Sequence, residues 1–257
     1  MLRLITIPIS HYCEKGRWAL DRAGIAYREE RHVQGVHRLV SRRAGGSGTV
    51  PVLVTPDEVL GQSAQILAWV DGRASAEQRL FPVEQGARRE VDGLCRRLDE
   101  RLGPHGRRLM YVHMLAQRRL ALRFNNAGVP AWEASAMRYG WPFVTRFVAR
   151  ELGIRPGIEA EDERAVWHEF DFVAERLAGG RPYLCGERFG AADLTFAALS
   201  AALVMPPEYG VPLPQPDILP PQTAELVRRV RDHPAGRFAL TLFAEHRIPR
   251  APLARSR

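Results

Sequence analysis

The sequence predicts an α/β domain over residues 1–73, a linker over residues 74–85 and an all-helical bundle domain over residues 86–257. Two observations lead to this division. In the first part, short apolar runs bounded by Pro and Gly stand on either side of a helical run, as in a βαβ unit. After residue 86, apolar residues recur with helical spacing and no strand-like alternation is found.

The composition is that of an ordinary globular protein. Of 257 residues, 46% are hydrophobic and 26% charged, so a core can form without disulfides or metals. The three cysteines, Cys13, Cys95 and Cys185, are too far apart for a disulfide framework, and no paired Cys or His spacing predicts a metal site. No apolar run reaches membrane-spanning length and no secretory signal is found, so we expect a cytoplasmic protein without membrane contact.

The chain carries a formal charge of +8, almost entirely from arginine, since Lys15 is its only lysine. The arginines are scattered and interleaved with acidic residues, as in residues 96–101. No aromatic-studded basic groove or recognition-helix pattern is found, so the charge predicts solvated helix faces and no nucleic-acid partner. A basic surface also suits a small anionic substrate.

The first elements form a strand–helix–strand unit. Residues 2–7 predict a short strand that ends at Pro8, and a helical run follows Ser10. Gly24 stops this helix as a left-handed cap would, and residues 25–30 predict the second strand. Because such crossovers are right-handed, the two strands are expected to be parallel neighbours.

The sequence signals for the remaining elements of this domain are weaker, but the order of these elements along the chain is clear. They are a loop over residues 33–49 with a short helix at residues 36–43, a strand over residues 49–54 with Pro51 at its start, a very short strand at residues 59–60, and a helix over residues 64–70 capped by Ser63. The order βαβ, loop-helix, β, β, α is the layout of a thioredoxin-like domain.

Three short pieces make the pattern more specific. The corner Ile9-Ser10-His11-Tyr12-Cys13 resembles the active-site corner of theta-type glutathione transferases, where a strand runs into Ser-x-x-Cys and then a helix. Residues 50–53 resemble the family's Val-Pro-x-Leu element, whose proline is cis, and residues 62–67 resemble its Gln/Glu-Ser-x-x-Ile element. With this order and spacing, the sequence resembles the cytosolic glutathione transferase family with a serine-type corner.

The resemblance implies how glutathione is held. Val50, next to Pro51, would pair edgewise with the tripeptide as an added strand does, and Gln62 and Ser63 at a helix N-terminus would attract the γ-glutamyl carboxylate. His37 and Arg38 are the residues that we assign to glutathione in the loop before Pro51. For the glycyl carboxylate the choice stays open among these candidates: Gln34, His37, Arg38, Arg42, Arg43 and Thr49.

The chemistry to be explained is activation of a thiol. A free thiol has a pKa near 8.5, and a hydroxyl donor that stabilises the thiolate lowers this value. By resemblance, Ser10 is the thiolate-stabilising residue, and Cys13 is the alternative catalytic residue. With no cysteine at position 10, Cys13 is better explained as a buried core residue. Lys15 and Arg17 are expected to be solvated residues of the following helix.

The second domain follows the family in outline. Val91, Leu94, Cys95, Leu98 and Leu102 form one apolar helical stripe. Residues 104–160 depart from the family, because they are rich in aromatic residues and are interrupted by Pro130 and Pro142. This segment is expected to line an apolar substrate pocket or to supply core or dimer contacts. The residues that we assign to the pocket are His11, Tyr12, Tyr111 and Trp132.

Two functions from different classes follow from the resemblance. The first is an enzyme, a glutathione transferase that binds glutathione and activates its thiol for attack on a small electrophilic or apolar molecule, without a metal. The second is a non-catalytic binding or regulatory protein of the same fold. Either would be expected to form a homodimer.

Overall fold

The computed structural model describes residues 1–247, so residues 248–257 of the predicted helical domain lie outside the described residues. The first domain is built on a four-stranded sheet with the order β2-β1-β3-β4. Its elements are β1 (Leu2–Thr6), α1 (His11–Arg22), β2 (Tyr27–Arg31), α2 (Val36–Arg43), β3 (Val52–Val54), β4 (Val59–Leu60) and α3 (Ser63–Asp71). This confirms the predicted thioredoxin-like class and the order of its elements.

The strand pairing follows the predicted topology. β1 and β2 are parallel, with Leu2 opposite Tyr27, and α1 forms the crossover between them. β3 is antiparallel to both β1 and β4. Gly24 follows α1 with a φ of +63°, a left-handed conformation that glycine adopts without a Cβ clash, and the chain turns there into β2.

Several predicted boundaries are wrong by one to three residues, with the largest error at the start of β3. Gln62 is the N-cap of α3, with an extended backbone (φ −131°, ψ 138°), and Ser63 is already the first helical residue, with its side chain buried. The second strand begins at Tyr27 rather than Ile25, because Ile25 is still bonded to the end of α1 through the Leu20 carbonyl at 3.0 Å.

Nine α-helices follow in the described part of the chain. They are α4 (Gln85–Arg97), α5 (Gly103–Met114), α6 (Arg118–Asn125), α7 (Ala131–Tyr139), α8 (Trp141–Glu151), α9 (Ile158–Leu177), α10 (Ala191–Val204), α11 (Pro221–Asp232) and α12 (Pro234–His246). A π-helical turn, Leu98–Leu102, joins α4 to α5. α10 is buried along almost its whole length, so it forms the centre of this domain.

None of the helices in residues 1–247 combines the length and the apolar character that crossing a membrane requires.

The linker docks on both domains. The Asp71 carboxylate at the end of α3 accepts hydrogen bonds from the amides of Leu80 (2.6 Å) and Phe81 (3.1 Å). The Leu80 carbonyl in turn accepts from the Ala191 amide at the start of α10 (2.8 Å). Because the side chains of Leu80 and Phe81 are also buried, the linker fixes α3 against α10.

The prediction that Lys15 and Arg17 are solvated is wrong. Lys15 is fully buried and its Nζ lies 2.8 Å from Asp99. Arg17 is 1% exposed and its guanidinium contacts Glu29 (2.6 Å) and Glu14 (2.9 Å). The physical reason is that α1 packs against α3 of its own domain and against α10 of the helical domain, so its charged residues are covered where the domains meet.

Candidate active site

A cavity of about 390 Å³ lies between the two domains. The first domain contributes the turn from β1 to α1, part of the β2–α2 loop and α2, and residues 48–50. The helical domain contributes residues of α5, α6 and α8, together with Ala202, Met205, Leu213 and Pro214. Its size is that of a small-molecule site.

Ser10 lies on the wall of this cavity at the N-cap of α1. Its Oγ accepts a hydrogen bond from the Cys13 amide (3.4 Å), and its own amide donates to the Ile7 carbonyl (3.2 Å). Since Oγ acts as an acceptor in this cap, its hydroxyl hydrogen remains available to donate to a group in the cavity. The N-terminus of α1 adds a partial positive charge at the same point.

Cys13 lies behind Ser10 and does not line the cavity. The side chain is completely buried, and this burial raises the pKa of the thiol to about 11. At neutral pH the group is therefore a protonated core thiol. This agrees with the interpretation of Cys13 as a core residue rather than a redox group.

The residues predicted to bind glutathione beside Pro51 and at the start of α3 lie in two different places. The Val50–Pro51 peptide bond is cis, as expected, and Val50 lines the cavity. Gln62 is exposed and Ser63 is buried at the start of α3, and neither lines the cavity. The structure therefore places the cavity next to residue 50 but does not bring the α3 residues into it, and their role in binding glutathione stays a prediction.

The loop from β2 into α2 brings three predicted residues to the cavity. Gln34 donates through Nε2 to the Tyr111 hydroxyl (2.8 Å) and to Asn125 Oδ1 (2.6 Å), while its Oε1 is buried without a partner among the described residues. Burial lowers the pKa of His37 to about 4, so its imidazole is neutral at pH 7. The Arg38 guanidinium lies 2.5 Å from the Glu151 carboxylate on α8.

Three of the four predicted pocket residues line the cavity, and the fourth does not. His11, Tyr12 and Tyr111 are on its wall, but Trp132 is 63% exposed and lies outside it. The reason is the orientation of α7, whose inward side carries Glu133 and Met137. Trp141 at the start of α8 lines the cavity instead.

The sequence interpretation missed Arg107. This arginine lies on the cavity wall, on the same face of α5 as Met110, Tyr111 and Met114. The spacing i, i+3, i+4, i+7 of these four residues was the signal that could have found it. Its positive charge adds to the effect of burial on His11, and together they lower the pKa of that imidazole to about 3.

No group of three or more His, Cys, Asp or Glu side chains within residues 1–247 is arranged to hold a metal ion.

Comparison with known proteins agrees with this geometry. Residues 4–78 match the family model described as the N-terminal domain of glutathione S-transferase. No curated protein matches the sequence.

Solved structures with the same fold extend the comparison to both domains. A glutathione transferase from Phanerochaete chrysosporium has 17% identity and a TM-score of 0.62, with 97% of this chain and 98% of that chain covered. A glutathione S-transferase from Xanthobacter autotrophicus Py2 has 18% identity and a TM-score of 0.58, with 95% and 93% covered. A glutathione S-transferase-I bound with the ligand lactoylglutathione has 15% identity and a TM-score of 0.56, with 94% and 99% covered.

The fold is thus that of the two-domain glutathione transferases, a thioredoxin-like domain followed by a helical domain. The family match covers residues 4–78, the thioredoxin-like domain, where the sequence motifs had indicated the resemblance to glutathione transferases.

Proposed function

We propose that this protein is a glutathione transferase in which Ser10 stabilises the glutathione thiolate for attack on a small electrophile. The observation that carries the proposal is the position of Ser10. Its hydroxyl lines the interdomain cavity, its oxygen is occupied as a helix cap, and its hydrogen is free to donate to a sulfur anion. The family match over residues 4–78 and a structural neighbour bound with lactoylglutathione support glutathione as the thiol.

The reaction needs little from the protein besides positioning and charge. Glutathione would pair along residue 50 with its sulfur towards Ser10. The Ser10 hydroxyl and the positive end of α1 would stabilise the thiolate, and the thiol proton would leave to solvent. The thiolate would then form a carbon–sulfur bond to an electrophile held against the apolar wall of α5 and α8. Of the residues before Pro51, His37 and Arg38 would contact glutathione.

One observation favours the second candidate, a binding or regulatory protein without turnover. Arg38 is already paired with Glu151, and Gln34 is already bonded to Tyr111 and Asn125. Two of the residues expected to meet the glycyl carboxylate therefore have partners within the chain. A binding protein that does not activate the thiol would not need these two residues to be free for the glycyl carboxylate. The homodimer and the cytoplasmic compartment stay predictions for either function.

The two candidates are separated by one pair of measurements on the purified full chain. Calorimetry measures the affinity for glutathione, and ultraviolet difference spectroscopy measures thiolate formation by bound glutathione at neutral pH. The proposed enzyme binds glutathione and shows a thiolate signal. Binding without that signal would support the non-catalytic candidate, and no binding would contradict both.

A further inference from the structure

We propose that Arg107 makes the apolar end of the cavity selective for molecules that carry an anionic group on an aromatic or other apolar body, with an aromatic carboxylate as the simplest example. This inference rests on the proposed function, because it names the class of second substrate that the same site accepts.

Arg107 lies on the cavity wall opposite the start of α1. It is on α5, in the helical domain, and its Cζ lies 5.9 Å from the centre of the Tyr12 ring. Tyr12 follows His11, and the two rings are 4.6 Å apart. Arg107 therefore faces the start of α1, close to where Ser10 opens into the cavity.

Arg107 has no anionic partner among the described residues. Within residues 1–247 no carboxylate lies within 4 Å of its guanidinium, and its buried Nε has no hydrogen-bond acceptor. The neighbouring Arg108 shows the ordinary alternative, since it points away and contacts Asp162 at 2.6 Å. A partly buried guanidinium without a counter-charge is unfavourable, so an anionic ligand would supply the missing interaction.

The cavity wall near Arg107 is mainly apolar. The surface around Arg107 is formed mainly by apolar and aromatic side chains, among them Met110, Met114, Phe124, Trp141 and Phe147. The cavity contains one acidic residue, Glu151, within the described chain, and Arg38 neutralises it. His11 is buried beside Arg107, and its Nε2 also has no partner among the described residues. A flat apolar body with a single anionic group matches this combination.

Glutathione itself also has carboxylates, but its candidate contacts lie elsewhere. His37, Arg38 and Val50 all belong to the first domain, whereas Arg107 reaches the cavity from the helical domain next to His11 and Tyr12. This separation assigns Arg107 to the second substrate, and the experiment includes a direct check of that assignment.

The test compares two unreactive ligands of nearly equal shape, 3,5-dinitrobenzoate and 3,5-dinitrobenzamide. Their affinities are measured by calorimetry on the full chain, with and without saturating glutathione. The unaltered chain should bind the benzoate at least about tenfold more tightly than the amide, the usual scale of a charge-assisted contact. Arg107→Gln should remove this preference and leave the amide affinity within about twofold. Arg107→Lys, which keeps the positive charge, should retain part of the preference for the benzoate.

Arg96→Gln is the matched control, because it removes the same charge from the exposed side of α4. It should leave both affinities unchanged. Equal affinities in the unaltered chain, binding of neither ligand, or the same loss for both ligands in Arg107→Gln would overturn the proposal. It would also be overturned if Arg107→Gln weakened glutathione binding instead, since the residue would then belong to the glutathione side.

Turnover distinguishes this inference from the proposed function. With 4-chloro-3,5-dinitrobenzoate, the thiolate would attack the chlorine-bearing carbon, a carbon–sulfur bond would form, and chloride would leave with the bonding electrons. The thiol proton would pass to water. Turnover that favours this benzoate over its amide supports both proposals. A retained binding preference without turnover would support the anion site and contradict the enzyme.

Discussion

Glu133 on α7 holds the loop that leads from β2 into α2. Its Oε2 accepts a hydrogen bond from the Val33 amide at 2.9 Å, and its Oε1 lies 2.7 Å from Nδ1 of His32. The Glu133 side chain is completely buried. The aromatic-rich segment of residues 104–160 therefore supplies the side chain that fixes the loop carrying Gln34 to the cavity.

Replacing Glu133 should lower both the stability of the fold and the affinity for glutathione. Glu133→Ala would leave the Val33 amide and a His32 nitrogen buried without acceptors, at a cost of about 2–4 kcal/mol in the free energy of unfolding. Glutathione affinity should fall as well, because the β2–α2 loop would no longer be fixed. Denaturant unfolding and calorimetry measure the two effects. Glu175→Ala, an exposed position on α9, is the control, and an equally small effect for both variants would contradict this role of Glu133.

The pairing of Arg38 with Glu151 predicts opposite effects for its two members. Both side chains are more than a third exposed, so the pair should contribute less than about 1 kcal/mol to stability. Arg38→Gln should weaken glutathione binding about tenfold, since a charge-assisted contact is lost. Glu151→Gln should instead strengthen it, because the guanidinium is released. Calorimetry on the two variants measures both changes in glutathione affinity. Unchanged affinity in both variants would exclude Arg38 from the glutathione site.

Arg247 ties the end of the described chain to the first domain. Its Nε lies 2.6 Å from the Glu14 carboxylate, and both side chains are almost completely buried. Arg247→Ala should lower the free energy of unfolding by about 3–5 kcal/mol, because it removes one partner of a buried ion pair. Denaturant unfolding measures this loss. Arg237→Ala on the exposed side of α12 should have little effect, and comparable losses in the two variants would refute the assignment.

The stability of the protein should fall in acid partly because of His11. Burial first, and then Arg107, lower the pKa of His11 from 6.5 to about 3. Between these values the unfolded chain binds a proton that the folded chain does not, so folding loses stability as the pH falls from 6.5 towards 3. Asp193, whose pKa burial raises to about 6, acts in the opposite direction between about 6 and 3.8.

The difference between the unaltered chain and His11→Phe isolates this effect, since both contain Asp193. The free energy of unfolding of the unaltered chain minus that of His11→Phe should fall by a few kcal/mol as the pH falls across that range. Parallel curves would show that His11 does not titrate differently in the folded and unfolded chains.

Much of the fold could be predicted from local sequence, because the signals were local. Gly24 ends α1, and the helix at residues 36–43 has the predicted bounds. The Ser10 corner and the cis bond before Pro51 were found because their motifs are short and continuous.

The errors concern properties that depend on packing between distant segments. Lys15 and Arg17 carry charges that are typical of a solvated surface, and only the docking of α10 against α1 buries them. Trp132 was assigned to the pocket by residue type, but which side of a short helix faces inward is set by partners such as Glu133, about a hundred residues from the loop that it binds. Arg107 is one arginine among many, and only its helical spacing with Met110, Tyr111 and Met114 distinguishes it from the solvated ones.

The central claim, that Ser10 lowers the pKa of bound glutathione, is tested most directly by titrating the thiol of glutathione on the protein by ultraviolet difference spectroscopy. The account predicts a pKa below the value near 8.5 of a free thiol in the unaltered chain and in Ser10→Thr, which keeps both the hydroxyl and the helix cap. It predicts a return towards the free value in Ser10→Ala. An unchanged thiol pKa in Ser10→Ala, with glutathione still bound, would contradict it.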